Sequence, residues 1–118
     1  MGILSSTEKG VDGALTDEHA IQNAIRIALS EYGVVFRVNV GKGYTKDGRY
    51  FDTGVPVGFS DLFGHRKTDG KAFYIEVKTA DGRVRPEQKK FIERMRTCGA
   101  LAGVARNVED AIKIISEE

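Results

Sequence analysis

Residues 60–78 read SDLFGHRKTDGKAFYIEVK. Two β-prone runs, Ser60–His65 and Ala72–Ala80, flank a turn signal at Asp69-Gly70, so this stretch predicts a β-hairpin. Side chains alternate along a strand, which places Phe73, Ile75 and Val77 on one face and Tyr74, Glu76 and Lys78 on the other. Asp61, Phe63 and His65 share a face of the preceding strand. A turn centred between Thr68 and Asp69 pairs residues whose numbers sum to 137, which sets Asp61 opposite Glu76. Directly opposed residues bring their Cβ atoms to about 4.5–5.5 Å, and two carboxylates at that distance repel unless a positive charge lies between them.

Outward from the hairpin, the N-terminal side predicts a helix capped by Thr16, with Asp17 and Glu18 in its first turn, Ile21, Ile25, Ala28 and Leu29 at helical spacing, and Gly33 as its stop. Val34–Val40 reads as a strand. Gly41–Gly54, with four glycines, reads as a mobile loop or irregular hairpin. On the C-terminal side, Pro86 opens a helix with Phe91, Ile92 and Met95 as its apolar stripe and Gly99 as its end. Leu101–Arg106 reads as a strand, and Asn107 caps a last helix that turns Ala111, Ile112 and Ile115 inward. The order α-β-β-β-α-β-α is that of an α/β layer fold with a small mixed sheet. Residues 1–15 read as a flexible leader and 16–118 as a single domain.

Composition narrows the classes. The 118 residues are 41% hydrophobic and 30% charged, ordinary for one globular domain. One cysteine, Cys98, excludes an internal disulfide, and with only His19 and His65 beside it a Cys/His zinc site is excluded too. No apolar run approaches the roughly 20 residues of a membrane helix, and no signal-peptide pattern opens the chain. An intracellular, cytoplasmic protein with no membrane partner is the expectation. Net charge is only +1, but Lys78–Arg96 carries seven basic residues against three acids, and Arg37, Lys42, Lys46 and Arg49 form a second basic stretch. Such clusters can neutralise phosphates, or be no more than solvated faces.

The acids suggest chemistry. Helical periodicity puts Glu18, with Gln22 beside it, on the stripe of Ile25 and Leu29, and puts Gln88 on the face of Phe91 and Met95, so both helix starts lean polar groups inward. Glu76 and Lys78 are equally compatible with a surface ion pair, and Glu18 with a helix-dipole acid. Taken together, Asp61, Glu76 and the backbone carbonyl of Val77 make a hard oxygen set suited to Mg²⁺ or Mn²⁺. Lys78, one step along the same face, would orient water or offset charge on a phosphate. Glu18 would serve a second metal or its water, and Gln88 would hydrogen-bond the nucleophile or the scissile phosphate. His65 reads as a surface histidine, His19 as pointing elsewhere on its helix, and Cys98 as a small buried hydrophobe. Gly41-Lys42-Gly43 is too short for a P-loop, and Tyr44 and Tyr50 read as hairpin packing.

Asp61, Glu76-Val77-Lys78 and the helical Glu18 resemble the PD-(D/E)XK nuclease superfamily. Glu18-x-x-x-Gln22, Arg37-x-Asn39-x-Gly41, Gly58-x-x-Asp61-Leu62, Ile75-Glu76-Val77-Lys78 and Gln88 together resemble a stand-alone virus-type replication-repair nuclease (VRR-NUC) domain, from about residue 17 onward. Ser60 departs from the pattern, since many relatives carry proline there; the change should affect strand entry and not metal binding. The resemblance implies a restriction-endonuclease-like αβββαβα core. It implies Glu18, Asp61, Glu76, Lys78 and Gln88 as catalytic residues, and Asp61, Glu76, Val77 and Glu18 as holders of Mg²⁺ or Mn²⁺. It also implies a homodimer that cuts branched DNA, four-way (Holliday) junctions in particular. Gln22, Arg37, Lys42, Lys46, Arg49, Arg83, Arg85 and Lys89 are the expected DNA contacts. An exonuclease or flap nuclease of the same fold, or a non-catalytic nucleic-acid-binding module built on the basic helix, are the alternatives.

Overall fold

The structure is a computed structural model and describes residues 17–118; the expected leader and Thr16 lie outside the described residues. Helix α1 spans Glu18–Leu29, and its N-cap is Asp17, whose carboxylate accepts from the His19 N–H at 3.3 Å. The strands are β1 (Gly33–Arg37), β2 (Lys42–Tyr44), β3 (Tyr50–Asp52), β4 (Leu62–Arg66), β5 (Ala72–Val77) and β6 (Leu101–Ala105). Helices α2 (Pro86–Thr97) and α3 (Val108–Ile115) flank β6 in sequence.

The main sheet has the order β1-β4-β5-β6, antiparallel except for the parallel β5–β6 pair. The β4–β5 register pairs Leu62 with Ile75, Phe63 with Tyr74 and Gly64 with Phe73, each summing to 137 as expected. The turn closes through Gly70, whose N–H donates to the Arg66 carbonyl at 2.8 Å from a φ of +74° that glycine tolerates. One sheet face and helices α1 and α3 enclose a core of Ile21, Ile25, Leu29, Leu62, Phe73, Ile75, Val77, Ala111 and Ile115. Helix α2 lies on the other face, where Phe91 meets Tyr74 and Phe59 at ring-centroid distances of 5.5 and 4.6 Å.

Several local expectations are corrected. Helix α1 ends at Ser30, and Gly33 instead opens β1, because a Cβ there would run into the His65 carbonyl across the ladder. Strand β1 stops at Arg37, although the Val38 N–H still reaches the Asp61 carbonyl at 2.9 Å. Of the two forms expected for Gly41–Gly54 the hairpin is the one present: β2 and β3 make a two-stranded sheet of their own, and Tyr44 and Tyr50 pack edge-to-face at 5.5 Å as expected. Cys98 caps the C-terminus of α2 and is exposed, since the helix end runs past the sheet. In α3 the buried positions are Ala111, Ile114 and Ile115, with Ile112 only partly covered. Among the described residues no helix is long and apolar enough to cross a membrane.

Ser60 is fully buried and its hydroxyl finds no hydrogen-bond partner. A buried, unsatisfied hydroxyl costs about 1–3 kcal/mol. Ser60→Ala is therefore expected to raise stability by about 1 kcal/mol in urea titration; a loss instead would show that the hydroxyl is bonded, through a buried water for example.

Candidate active site

Three elements converge at the end of β5. Asp61 enters β4, one residue before the Leu62–Ile75 pair, and its Oδ2 accepts the Val77 N–H at 2.8 Å. Glu76 and Lys78 follow on the face that α2 covers, so they are buried to 2% and 9% exposure rather than displayed on a solvated surface. Gln88, also buried, reaches them from the first turn of α2. Its Oε1 accepts the Arg85 N–H at 2.9 Å as part of a capping box, which leaves its Nε2 to donate to Glu76 Oε2 at 2.8 Å. One side-chain amide thus ends the helix and orients the carboxylate. Lys78 Nζ lies 3.8 Å from the same Glu76 oxygen.

The second oxygen, Glu76 Oε1, is buried without any hydrogen-bond partner. A buried carboxylate left half-solvated by protein is expensive. Burial, followed by the charge of Asp61, pushes the Glu76 carboxyl up to about 8, with Glu18 adding to the rise and Lys78 and Arg85 opposing it. Burial also raises Asp61, against the Val77 N–H and the Lys78 charge. The surroundings therefore do not fully offset the charge of two ionised carboxylates, and one buried oxygen of Glu76 has no partner. These residues fit a divalent cation.

Glu18 does not join the pair. It is exposed, although its charge still reaches Glu76. Among the described residues no three of His, Cys, Asp and Glu form a ligand cluster. Glu18 shares a helical stripe with Ile25, but it is exposed where Ile25 is fully buried, so the expected inward lean fails at that end of α1.

A cleft of about 450 Å³ opens over Asp61 and Gln88. Of the expected DNA contacts it gathers Gln22, Arg37 and Arg85, and it adds His19 and Asn39. His19 thus faces the site instead of pointing away, one helical position from Glu18 and three from Gln22. Lys42, Lys46 and Arg49 sit on the exposed β2–β3 hairpin and its turn, and Arg83 and Lys89 are exposed around the start of α2; none of these five lines the cleft. Asn39, flanked by Arg37 and Gly41, is legible as part of a motif but carries no role that the sequence alone assigns. His65 is exposed and bonds the Gly70 carbonyl through Nδ1 at 2.9 Å, a hairpin contact.

Comparison with known proteins agrees with this geometry. A search of curated proteins finds no match. A solved structure described as a VRR-NUC domain superposes with a TM-score of 0.59 at 22% identity, covering 85% of this chain and 95% of that one, a likeness of fold. The VRR-NUC domain family itself matches residues 16–109. With that match spanning the Glu18 helix, the carboxylate hairpin and Gln88, the chain belongs to the VRR-NUC family and folds as a nuclease-type domain.

Proposed function

We propose that the protein is a Mg²⁺- or Mn²⁺-dependent endodeoxyribonuclease that hydrolyses phosphodiesters in branched DNA, four-way junctions foremost, as a homodimer. The observation that carries the metal-dependent part is the pairing of half-buried Asp61 with buried Glu76, whose Oε1 has no partner. A module that only binds nucleic acid gains nothing from clustered carboxylates beside phosphate, where they repel it. The junction preference and the dimer rest on the family resemblance, and a two-fold axis suits two cuts on opposing strands of a symmetric branch.

Asp61, Glu76 and the Val77 carbonyl would hold the cation, with Glu18 near enough to influence it electrostatically. When bound, a divalent ion supplies Lewis-acid polarisation of a phosphodiester and a more acidic water. The protein's own groups do the rest. The Val77 N–H fixes Asp61, and Gln88 fixes Glu76. Lys78, already drawn to Glu76, supplies positive charge toward a phosphate entering the site. Arg37, Arg85 and Gln22, with His19 and Asn39, present donors to backbone phosphates along the cleft.

The test is incubation of the purified protein with a synthetic four-way junction, a flap, a nicked duplex and a linear duplex, with Mn²⁺, Mg²⁺ or chelator. Paired nicks on opposing junction strands that need the ion support the reading. Release of terminal nucleotides or flap-specific cuts would replace it with the exonuclease or flap-nuclease alternative. No cutting of any substrate with either ion would end it.

Ion binding has a separate signature. Because cation binding needs ionised carboxylates, uptake must be tighter where Glu76 is deprotonated. Mn²⁺ is expected to raise the melting temperature more at pH 8.5 than at pH 6.5, a contrast that Asp61→Asn removes.

A further inference from the structure

The segment 79–85 carries the site from strand to helix: Lys78 precedes it, and Arg85 and Gln88 stand at its far end. Half of it is exposed, and among the described residues its backbone between Thr79 and Val84 makes one turn bond to itself, Gly82 N–H to the Thr79 carbonyl at 3.1 Å. The other hydrogen bonds of that backbone among the described residues all come from one side chain. Arg106 Nη1 donates to the carbonyls of Thr79 at 2.6 Å, Ala80 at 3.3 Å and Gly82 at 2.8 Å.

The register explains how Arg106 gets there. Strands β5 and β6 run parallel with Val77 beside Ala105, and the Lys78 N–H donates to the Ala105 carbonyl at 3.1 Å. Arg106 therefore leaves the sheet at the level of Lys78. Its own N–H is tied to Asp110 Oδ2 at 2.9 Å, so the stem of the clamp is anchored in the first turn of α3. Gly82, in turn, lies against Lys78: a Cβ there would stand 3.3 Å from Lys78 Cβ and Cδ. The clamped turn covers the aliphatic stem of Lys78.

We infer that Arg106 is a positioning residue of the active site: by gripping three carbonyls of the 79–82 turn it holds Lys78 and Gln88 on the same oxygen of Glu76. It contacts neither the carboxylates nor the cleft. The chemistry suits arginine, a donor-only group, with the two N–H bonds of Nη1 shared among the three clustered carbonyls. The consequence for turnover rests on the nuclease reading; the consequence for the turn and for Gln88 does not.

The experiment compares wild type, Arg106→Gln and Arg106→Lys as full chains, by hydrogen exchange, by NMR of the Gln88 side-chain amide, and by junction cleavage. In Arg106→Gln, amides of the 79–84 turn should exchange at least about tenfold faster, since a region opens more readily when its hydrogen bonds are lost. The Gln88 side-chain resonance should shift. Small misplacement of catalytic groups is costly, so kcat should fall roughly 10–100-fold, with KM within about twofold. Arg106→Lys keeps the charge but not the reach and planar geometry of Nη1, and should show an intermediate loss of about threefold in kcat with partial loss of exchange protection. An unchanged turn and Gln88 resonance, or a loosened turn with unchanged kcat, or a rise in KM alone, would overturn the assignment. Should Arg106→Gln fail to fold, a lysine variant identical to wild type in exchange and kcat overturns it equally. A wild type that cuts nothing sinks the nuclease reading alone, and the exchange and Gln88 measurements then decide whether Arg106 sets the site.

Discussion

Glu76→Gln is expected to lower cleavage by about a thousandfold or more and, in the same protein at pH 8, to raise the melting temperature. The two effects have one origin. Amide for carboxylate removes a ligand charge worth several kcal/mol to the reaction, and about 4 kcal/mol corresponds to a thousandfold in rate. For the folded chain without metal, that charge is a burden. Glu76 is 2% exposed, one of its oxygens has no partner, and its carboxyl is raised from 4.5 to about 8, chiefly by burial and then by Asp61. An acid whose folded pKa lies above its unfolded one stabilises the fold while protonated. That stability is complete below about pH 4.5 and drains away as pH rises toward 8, because the unfolded chain ionises freely and the native one cannot.

At 1.36 kcal/mol per pKa unit the full penalty is at most about 5 kcal/mol, and relaxation around the pair leaves roughly 1–3 kcal/mol to recover. For a domain of this size that is on the order of 5–10 °C. The amide introduced by Glu76→Gln would accept from Gln88 and donate toward Asp61, so the geometry survives. Wild type should lose stability between pH 5 and pH 8 in urea titrations, and the variant should be nearly flat across that window. A variant less stable than wild type at pH 8 would mean that Glu76 is a satisfied structural acid, and the metal-site reading would lose its main support.

What made this pair legible in the sequence was turn chemistry. Asp69-Gly70 fixed the hairpin centre, and a period of two then carried the register to Asp61 and Glu76, because a one-residue slip would have turned Phe73, Ile75 and Val77 out of the core. The same arithmetic on helices was less informative. A helical wheel gives an angle about the axis and says nothing of where the neighbouring surface stops. Glu18 and Ile25 share a stripe, yet Ile25 is buried and Glu18 exposed, and Cys98 at the end of α2 is exposed as well. His19 lies off the apolar stripe and yet borders the cleft, because the cleft is walled from the side by β1 and the residue 58–61 turn. The Arg106 clamp was invisible for a different reason: its acceptors are backbone carbonyls more than twenty residues away, and carbonyls leave no trace in a sequence.

Gly58→Ala should cost about 3–5 kcal/mol and, where the protein still folds, most of its cleavage activity, although residue 58 supplies no ligand. Two separate terms act there. Gly58 has φ +94°, a conformation that costs an L-residue about 1–2 kcal/mol. A Cβ at 58 would also run into the Glu87 carbonyl oxygen, with its carbon at 2.8 Å, and backbone cannot swing aside as a side-chain tip can. Relief requires moving the first turn of α2 or the turn that leads into Asp61. Gln88 is the next residue on that helix, so either movement loosens its 2.8 Å bond to Glu76. The glycine of the Gly58-x-x-Asp61 pattern is thus explained as the closest approach between the two segments that carry Asp61 and Gln88. Gly70→Ala separates the terms, because Gly70 has φ +74° but nothing within 4 Å of its missing Cβ. It should lose only about 1–2 kcal/mol and keep its activity. Equal losses in the two variants, measured by urea titration and junction cleavage, would show that backbone conformation alone is at work and that the α2 contact does not set the active site.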